Sequence, residues 1–219
     1  MFRHVPNLLT GARLVLAIVF FVMLSFYQYE GRGDPTLLNI AFIVYLVALA
    51  TDFLDGYLAR LWKVEGAFGR IVDPFVDKIL VLGSFAFFAG KNFIIPESDD
   101  QLGQYMVVKT ITGVTPAMVI VLLGRELLVT TLRGMAESSG QSFGAEWSGK
   151  VKMVIQSITI LAILVFVNYR GALLRHHWEG PVRWIRDIFI WATVAVTVLS
   201  GLAYVKKAVI LYRRSLVKE

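Results

Sequence analysis

The chain has 219 residues, of which 57% are hydrophobic and only 17% are charged, and it contains no cysteine. A soluble domain of this length usually has about a quarter of its residues charged, so the composition excludes an ordinary soluble protein and indicates a bilayer as solvent. The missing cysteines exclude disulfides and thiolate chemistry, and the net charge of +6 suits contact with anionic lipid headgroups.

Six stretches have the length and composition of a membrane-spanning helix, which needs about 20 mostly apolar residues. In chain order they are 8–28, 38–58, 71–95, 113–132, 151–167 and 185–205. Glycine, proline and charged residues fill the connections between them, and no internal repeat is visible. We therefore expect an all-α integral membrane protein whose residues 1–219 form a single domain of six transmembrane helices.

The distribution of basic residues predicts how these helices are oriented. An even number of spans places both termini on one side of the membrane, and that side holds twelve Lys and Arg residues against seven on the other. The positive-inside rule then predicts cytoplasmic termini. Because the basic residues are spread among apolar segments rather than gathered on one domain, we expect no nucleic-acid partner.

Four aspartates stand where the second predicted helix ends and the third begins. Asp52 and Asp55 are three residues apart, and Asp73 and Asp77 are four apart, so each pair occupies one face of a helix. The two helices run antiparallel, which lets the two acidic faces meet. Four carboxylates in a partly dry site repel one another unless cations neutralise them. Hard oxygen ligands suit Mg²⁺ or Mn²⁺, and two such ions would serve phosphoryl chemistry.

Less specific explanations exist for each of these residues taken alone. An isolated acid near a helix end is often solvated or paired with a neighbouring cation, and Arg60, Arg70 and Lys78 are nearby in the sequence. Gly56 and Ala59 remove side-chain bulk along one helix face, which suits either close helix packing or a bound phosphate. Ionisable groups inside a membrane are costly, however, so four on two facing stripes favour a functional site.

The same residues resemble a known signature. The spacing Asp52-x2-Asp55-Gly56-x2-Ala59-Arg60-x8-Gly69-x3-Asp73-x3-Asp77 is similar at every fixed position to the motif of the CDP-alcohol phosphotransferase family. The resemblance implies a six-helix membrane enzyme, usually a homodimer, that uses a divalent metal. It also implies that an acceptor alcohol displaces CMP from a CDP-linked lipid or alcohol.

The resemblance further implies a role for each motif residue. Asp52, Asp55, Asp73 and Asp77 would hold the metal, which the carboxylate chemistry predicts to be two ions of Mg²⁺ or Mn²⁺, and Asp77 would also act as the general base. The positions expected to line the cytidine diphosphate are Gly56, Ala59, Arg60 and Gly69.

Two further segments resemble the bacterial branch of the family that uses glycerol 3-phosphate as acceptor. They are "PNLLTGARLVLAI", with Asn7, Thr10 and Arg13 at matching places, and "GRELLVTTLRGMAESSGQSFGAEWSGKVK". The resemblance implies that Asn7 and Thr10 bind CDP-diacylglycerol. It also implies a multi-pass protein of the bacterial inner (cytoplasmic) membrane whose active site, at the cytoplasmic face, makes phosphatidylglycerophosphate and CMP.

The second segment is rich in cations that the acceptor's chemistry requires. Arg125 interrupts an apolar run, so we expect it to face either an ion-pair partner, such as Glu126, or a polar cavity. With Arg133, Lys150 and Lys152 it predicts a binding site for the dianionic glycerol 3-phosphate. Singly, each lysine is equally typical of a membrane-surface anchor.

Two other functions remain open at the level of sequence. A relative within the same family would use another acceptor, such as phosphatidylglycerol in cardiolipin synthesis or inositol phosphate. A cation transporter would use the aspartates as its ion site, although that function does not explain the spacing of Gly56, Ala59, Arg60 and Gly69.

Overall fold

The computed structural model describes residues 5–29, 33–62, 67–95, 109–138 and 147–216. These residues contain six α-helices, one 3-10 turn and one short pair of antiparallel strands. The helices are α1 (Val5–Phe26), α2 (Pro35–Trp62), α3 (Ala67–Phe88), α4 (Pro116–Ser138), α5 (Trp147–Arg175) and α6 (Glu179–Leu216). The 3-10 turn is Lys91–Phe93, and strand β1 (Ile94–Ile95) pairs with β2 (Lys109–Thr110). Each predicted span overlaps one helix, so the all-α fold class is confirmed.

Helices α1 and α2 pack through narrow stripes that the sequence spacing dictates. The buried positions recur every three or four residues on each helix, which is the period of a helix–helix seam. They are Ala17, Phe20 and Leu24 on α1, and Leu38, Ala41, Tyr45 and Ala48 on α2. Alternation of alanine with large side chains lets the two helices interlock, and the Phe20 and Tyr45 rings lie 5.3 Å apart between centroids.

The bundle has two groups of helices joined through α3 and α5. Helix α1 contacts α2 and α3, while α6 contacts α4 and α5. Contacts of α3 with α4 and α5, and of α2 with α5, join the groups. One end of the bundle, where α2 ends and α3 begins, carries Asp52 and Asp77, and we call it the acid end. The opposite end carries β1 and β2, and we call it the strand end.

Large apolar faces of the helices point away from the protein, which indicates a membrane protein. Ile18 and Val22 on α1 are about half exposed, and Leu199 and Leu202 on α6 are more exposed. Soluble proteins rarely expose apolar faces of this size to water. Within the described residues, four segments are long and apolar enough to span a membrane. They are Leu8–Phe26, Pro35–Asp52, Gly149–Arg175 and Glu179–Ile210. Helices α3 and α4 carry more ionisable side chains.

The strand end differs from the sequence prediction. The third span was expected to continue to residue 95, but α3 ends at Phe88. The Asn92 side-chain amide donates to the carbonyls of Leu24 and Ser25 at the end of α1 (3.0 and 3.1 Å). The Thr112 hydroxyl donates to the Phe88 carbonyl at 2.7 Å. The Thr112 side chain thus satisfies a carbonyl at the end of α3, and the Asn92 side chain satisfies carbonyls at the end of α1.

Candidate functional site

A buried arginine joins the two acid-bearing helices at the acid end. Arg13 on α1 is fully buried, and its Nη1 lies 2.8 Å from the Oδ1 atoms of both Asp52 on α2 and Asp77 on α3. The two carboxylate oxygens are therefore separated by no more than twice that distance. The structure brings together one acid of each predicted pair, as the facing helix stripes require. Thr10, one turn earlier on α1, is also buried.

The other motif residues are described only through their backbones. Asn7 lies on α1, Asp55, Gly56, Ala59 and Arg60 lie on α2, and Gly69 and Asp73 lie on α3. Their side chains lie outside the part of the chain whose side chains are described. Helix geometry alone places Asp55 on the face of Asp52, and Asp73 on the face of Asp77, because the spacings are three and four residues.

The chemistry of the described acids fits a divalent cation. Asp52 and Asp77 offer only carboxylate oxygens, which Mg²⁺ and Mn²⁺ prefer. A positive group, the Arg13 guanidinium, already lies against both of them. Among the side chains that the structure describes, no group of three or more potential ligands occurs; Asp55 and Asp73 are not among those side chains.

A cavity of about 490 Å³ opens beside Asp77, between α3, α4, α5 and α6. All four residues predicted to bind a phosphate-bearing acceptor line it: Arg125, Arg133, Lys150 and Lys152. Lys78 adds a fifth cation, whereas the acids among the described lining residues are Asp77 and Glu126. Cations therefore outnumber acids in this lining by five to two, and the cavity suits an anion.

Glu126 organises the cations at the centre of the cavity. Its Oε1 accepts hydrogen bonds from Arg125 Nη1 at 2.9 Å and from Lys152 Nζ. Arg125 also donates from Nε to the Ser200 hydroxyl at 3.1 Å and stacks over the Tyr204 ring. The two sequence interpretations of Arg125 are thus both realised, because it pairs with Glu126 and also faces the cavity.

Several buried donors of the cavity lining have no acceptor. Within the described part of the chain, Arg125 Nη2, Arg133 Nε and Gln156 Nε2 are buried without a hydrogen-bond partner. Buried polar groups are almost always hydrogen-bonded in proteins, and an unpaired one costs free energy. Three such donors around one cavity indicate a ligand rich in acceptor oxygens.

The sequence analysis missed several residues that build the site. Arg13 was predicted only as part of a motif, although an arginine inside an apolar run by itself indicates a functional site. Gln156 lies four residues beyond Lys152 and therefore on the same helix face, which was a usable signal. Nothing in the sequence points to Ser200 or Tyr204 on α6, because neutral side chains in an apolar helix show no distinctive pattern.

Comparison with known proteins identifies the family. The family model described as CDP-alcohol phosphatidyltransferase matches residues 3–199, which is most of the chain. The chain belongs to the CDP-alcohol phosphatidyltransferase family. Its membership confirms the resemblance that the aspartate motif suggested.

Several relatives of this chain have names that specify the reaction they catalyse. The CDP-diacylglycerol–glycerol-3-phosphate 3-phosphatidyltransferase of Bacillus subtilis is 30% identical over 211 residues, covering 93% of this chain and 94% of the relative. The protein of that name from Haemophilus influenzae is 32% identical over 163 residues, covering 74% and 75%. The "Probable phosphatidylglycerophosphate synthase" of Mycobacterium tuberculosis H37Rv is 29% identical, covering 94% and 81%.

Proposed function

We propose that this member of the CDP-alcohol phosphatidyltransferase family transfers a phosphatidyl group from CDP-diacylglycerol to sn-glycerol 3-phosphate. The products are phosphatidylglycerophosphate and CMP. The names of the relatives from three bacteria support this reaction. The observation that carries it is the cavity in which an excess of cations and three unpaired donors lie beside Asp77.

The acceptor's two functional ends match the two sides of the cavity. The phosphate dianion of glycerol 3-phosphate binds Arg125, Arg133, Lys150 and Lys152, because guanidinium and ammonium groups form charge-assisted hydrogen bonds with phosphate oxygens. Its C1 hydroxyl then lies toward Asp77. A carboxylate that receives this proton makes the hydroxyl oxygen a stronger nucleophile.

The transfer is a displacement at phosphorus. The C1 oxygen of the acceptor attacks the phosphorus that bears diacylglycerol, the bond from this phosphorus to the CMP oxygen breaks, and Asp77 takes the hydroxyl proton. Gly56, Ala59, Arg60 and Gly69, with Asn7 and Thr10, bind the CDP part of the donor. Asp52, Asp55, Asp73 and Asp77 would hold two divalent ions, Mg²⁺ or Mn²⁺, which would neutralise the charge of the pyrophosphate when bound.

Arg13 contributes to the same site by orienting carboxylates. Its Nη1 hydrogen-bonds Asp77 and contacts Asp52, and its burial on α1 fixes where that positive charge lies. The two acids are therefore held at one point although they come from different helices. Preorganised charge of this kind needs no rearrangement when the substrate binds.

We also infer the arrangement of the protein in the cell. All six helices span the bacterial inner membrane as one domain, both termini are cytoplasmic, and the acid end opens at the cytoplasmic face. Arg125 and Glu126 on α4 are buried, and Asp77 and Lys78 on α3 line the cavity between the helices. This supports the spanning of α3 and α4, because ionisable residues in membranes face the bundle interior. The protein forms a homodimer, as the family resemblance implies.

The decisive experiment is a panel of acceptors. Purified protein in detergent receives CDP-diacylglycerol labelled in the diacylglycerol part, with Mg²⁺ and one of glycerol 3-phosphate, phosphatidylglycerol or inositol phosphate. We expect labelled phosphatidylglycerophosphate with the first acceptor, identified by mass, and loss of product when a chelator removes the metal. Product formed only with another acceptor would contradict the proposed function. Metal flux into sealed vesicles without CMP release would indicate the transporter instead.

A further inference from the structure

Gln156 has hydrogen-bonding capacity that nothing described in the protein uses. It lies on α5 and is only 2% exposed, yet it lines the cavity and its Nε2 has no hydrogen-bond partner among the described residues. A buried amide without a partner is costly unless a ligand provides the missing acceptor. The position of Gln156, one turn from Lys152 on the same face of α5, makes it part of the acceptor's surroundings.

The other neutral polar residues of the described lining are already engaged. The Thr130 hydroxyl accepts from Lys78 Nζ at 2.8 Å and donates to the Glu126 carbonyl at 2.7 Å. The Tyr204 hydroxyl accepts from Arg133 Nη2 at 3.3 Å. Among the neutral polar side chains of the described lining, Gln156 is the one that has a buried donor without a hydrogen-bond partner.

The chemistry of an amide selects a hydroxyl rather than a phosphate. A carboxamide presents both a donor and an acceptor, and a hydroxyl group both donates and accepts. The phosphate of the acceptor already has four cations as partners. None of these cations is a natural partner for the secondary hydroxyl at C2. This hydroxyl lies between the C1 oxygen, directed at Asp77, and the C3 phosphate, directed at the basic residues.

We propose that Gln156 binds the C2 hydroxyl of the acceptor and selects acceptors that carry a hydroxyl beside the attacking one. This assignment rests on the proposed function, since it assumes a glycerol phosphate in the cavity. Gln156 then acts in specificity, while Asp77 and the basic residues act on the two ends of the same molecule. An acceptor without the C2 hydroxyl leaves the amide unpaired and binds less well.

The test compares two acceptors in two proteins. Glycerol 3-phosphate and 3-hydroxypropyl phosphate, which lacks the C2 hydroxyl, are offered to the wild-type protein and to Gln156→Met, with CMP release as the readout. We expect wild-type kcat/KM to favour glycerol 3-phosphate about tenfold to a hundredfold, the range that one hydrogen bond to a buried group supplies. In Gln156→Met the preference should fall to about twofold or less, because methionine has no comparable donor.

A matched control and a stability measurement separate specificity from folding. Met153→Leu changes a neighbouring residue of the same helix and cavity without altering any amide, and should keep the wild-type preference. Without acceptor, Gln156→Met should unfold at the same temperature as the wild type or higher, because it no longer buries an unpaired amide. If Gln156→Met is recovered poorly, Gln156→Leu serves the same comparison.

The outcomes distinguish this assignment from the function on which it rests. A wild-type protein that makes no product from glycerol 3-phosphate overturns the proposed function and the assignment together. A wild-type protein that is active on glycerol 3-phosphate but uses both acceptors equally overturns the assignment alone. So does a Gln156→Met variant that retains the wild-type preference. Loss of preference in Gln156→Met but not in Met153→Leu supports it.

Discussion

The positive charge of the Arg13 side chain lets two carboxylates from different helices lie close together. Asp52 and Asp77 each lie 2.8 Å from the same nitrogen, so the two carboxylates are close enough to repel each other without that positive charge. The arginine, in turn, is fully buried, which an unpaired guanidinium does not tolerate. The two carboxylates therefore make the burial of Arg13 possible, and Arg13 lets the two carboxylates lie close together.

Removing the Arg13 charge should destabilise the protein in a way that metal ions partly reverse. Without added metal, we expect Arg13→Gln to lower the free energy of unfolding by about 2 kcal/mol. This is less than for a fully buried pair because the Asp52 side chain is 38% exposed. Thermal unfolding in detergent, with and without millimolar Mg²⁺, measures the effect, and Mg²⁺ should stabilise the variant more than the wild type. Equal stabilisation of both would contradict this interpretation.

Asp77 is the residue on which the proton transfer depends. Asp77→Asn keeps the size of the side chain but removes the base, so we expect CMP release to fall by at least about a hundredfold. Asp34→Asn is the matched control, because it makes the same change at the exposed start of α2, where an amide oxygen can still accept from Thr36 N. Its rate should stay near that of the wild type. Near-normal turnover in Asp77→Asn would exclude Asp77 as the base.

At the scale of elements, Glu126 ties α4 to α5 and sets where the cavity's cations lie. It accepts from Arg125 on its own helix and from Lys152 on the next, and all three side chains are less than one-tenth exposed. Arg125 continues this connection to Ser200 on α6. Three helices are thus held around the cavity by a polar network centred on one carboxylate.

Neutralising Glu126 should leave two buried cations without their acid. We expect Glu126→Gln to lower the free energy of unfolding by about 3 kcal/mol, since breaking a buried pair leaves uncompensated charge. The double variant Glu126→Gln, Lys152→Met should recover part of this loss, because it removes one of the stranded cations. Unfolding of the wild type, both single variants and the double variant measures the coupling. Additive losses would show that the two residues do not interact.

The sequence predicted the helices better than it predicted where the helices end and which side chains they bring together. The helices follow from the apolar runs in the sequence, because about 20 consecutive mostly apolar residues predict a membrane-spanning helix. The end of α3 at Phe88 did not, because Asn92 and Thr112 satisfy carbonyls of segments distant in the chain. Similarly, the charged residues that line much of the cavity could be predicted from the sequence. Tyr204 and Ser200 come close to these residues only because α6 packs on α4.

At the scale of the whole molecule, the cluster around Arg13 and the cation-lined cavity are built mainly from different parts of the bundle. Helices α1, α2 and α3 supply Arg13, Asp52 and Asp77, whereas α4 and α5 supply most of the cations around the cavity. Asp77 is common to both, because it contacts Arg13 and also lines the cavity. In the proposed reaction, donor and acceptor therefore meet at α3.

The orientation of the bundle can be tested by labelling, since the natural chain has no cysteine. Glu137→Cys places a thiol at an exposed position of the acid end, and His176→Cys places one at the strand end. In right-side-out vesicles, an impermeant maleimide should label position 176 at once and position 137 only after permeabilisation. Inside-out vesicles should give the reverse order. Labelling of both positions from one side would contradict six spans.

The Arg13–Asp52 pair also bears on how the chain enters the membrane during synthesis. The two residues belong to the first and second helices, so they leave the ribosome before the third helix does. An ion pair formed between these two helices allows them to be inserted together with their opposite charges already matched, which lowers the cost of placing either charge in lipid. The third helix then brings Asp77 to an arginine that is already in place.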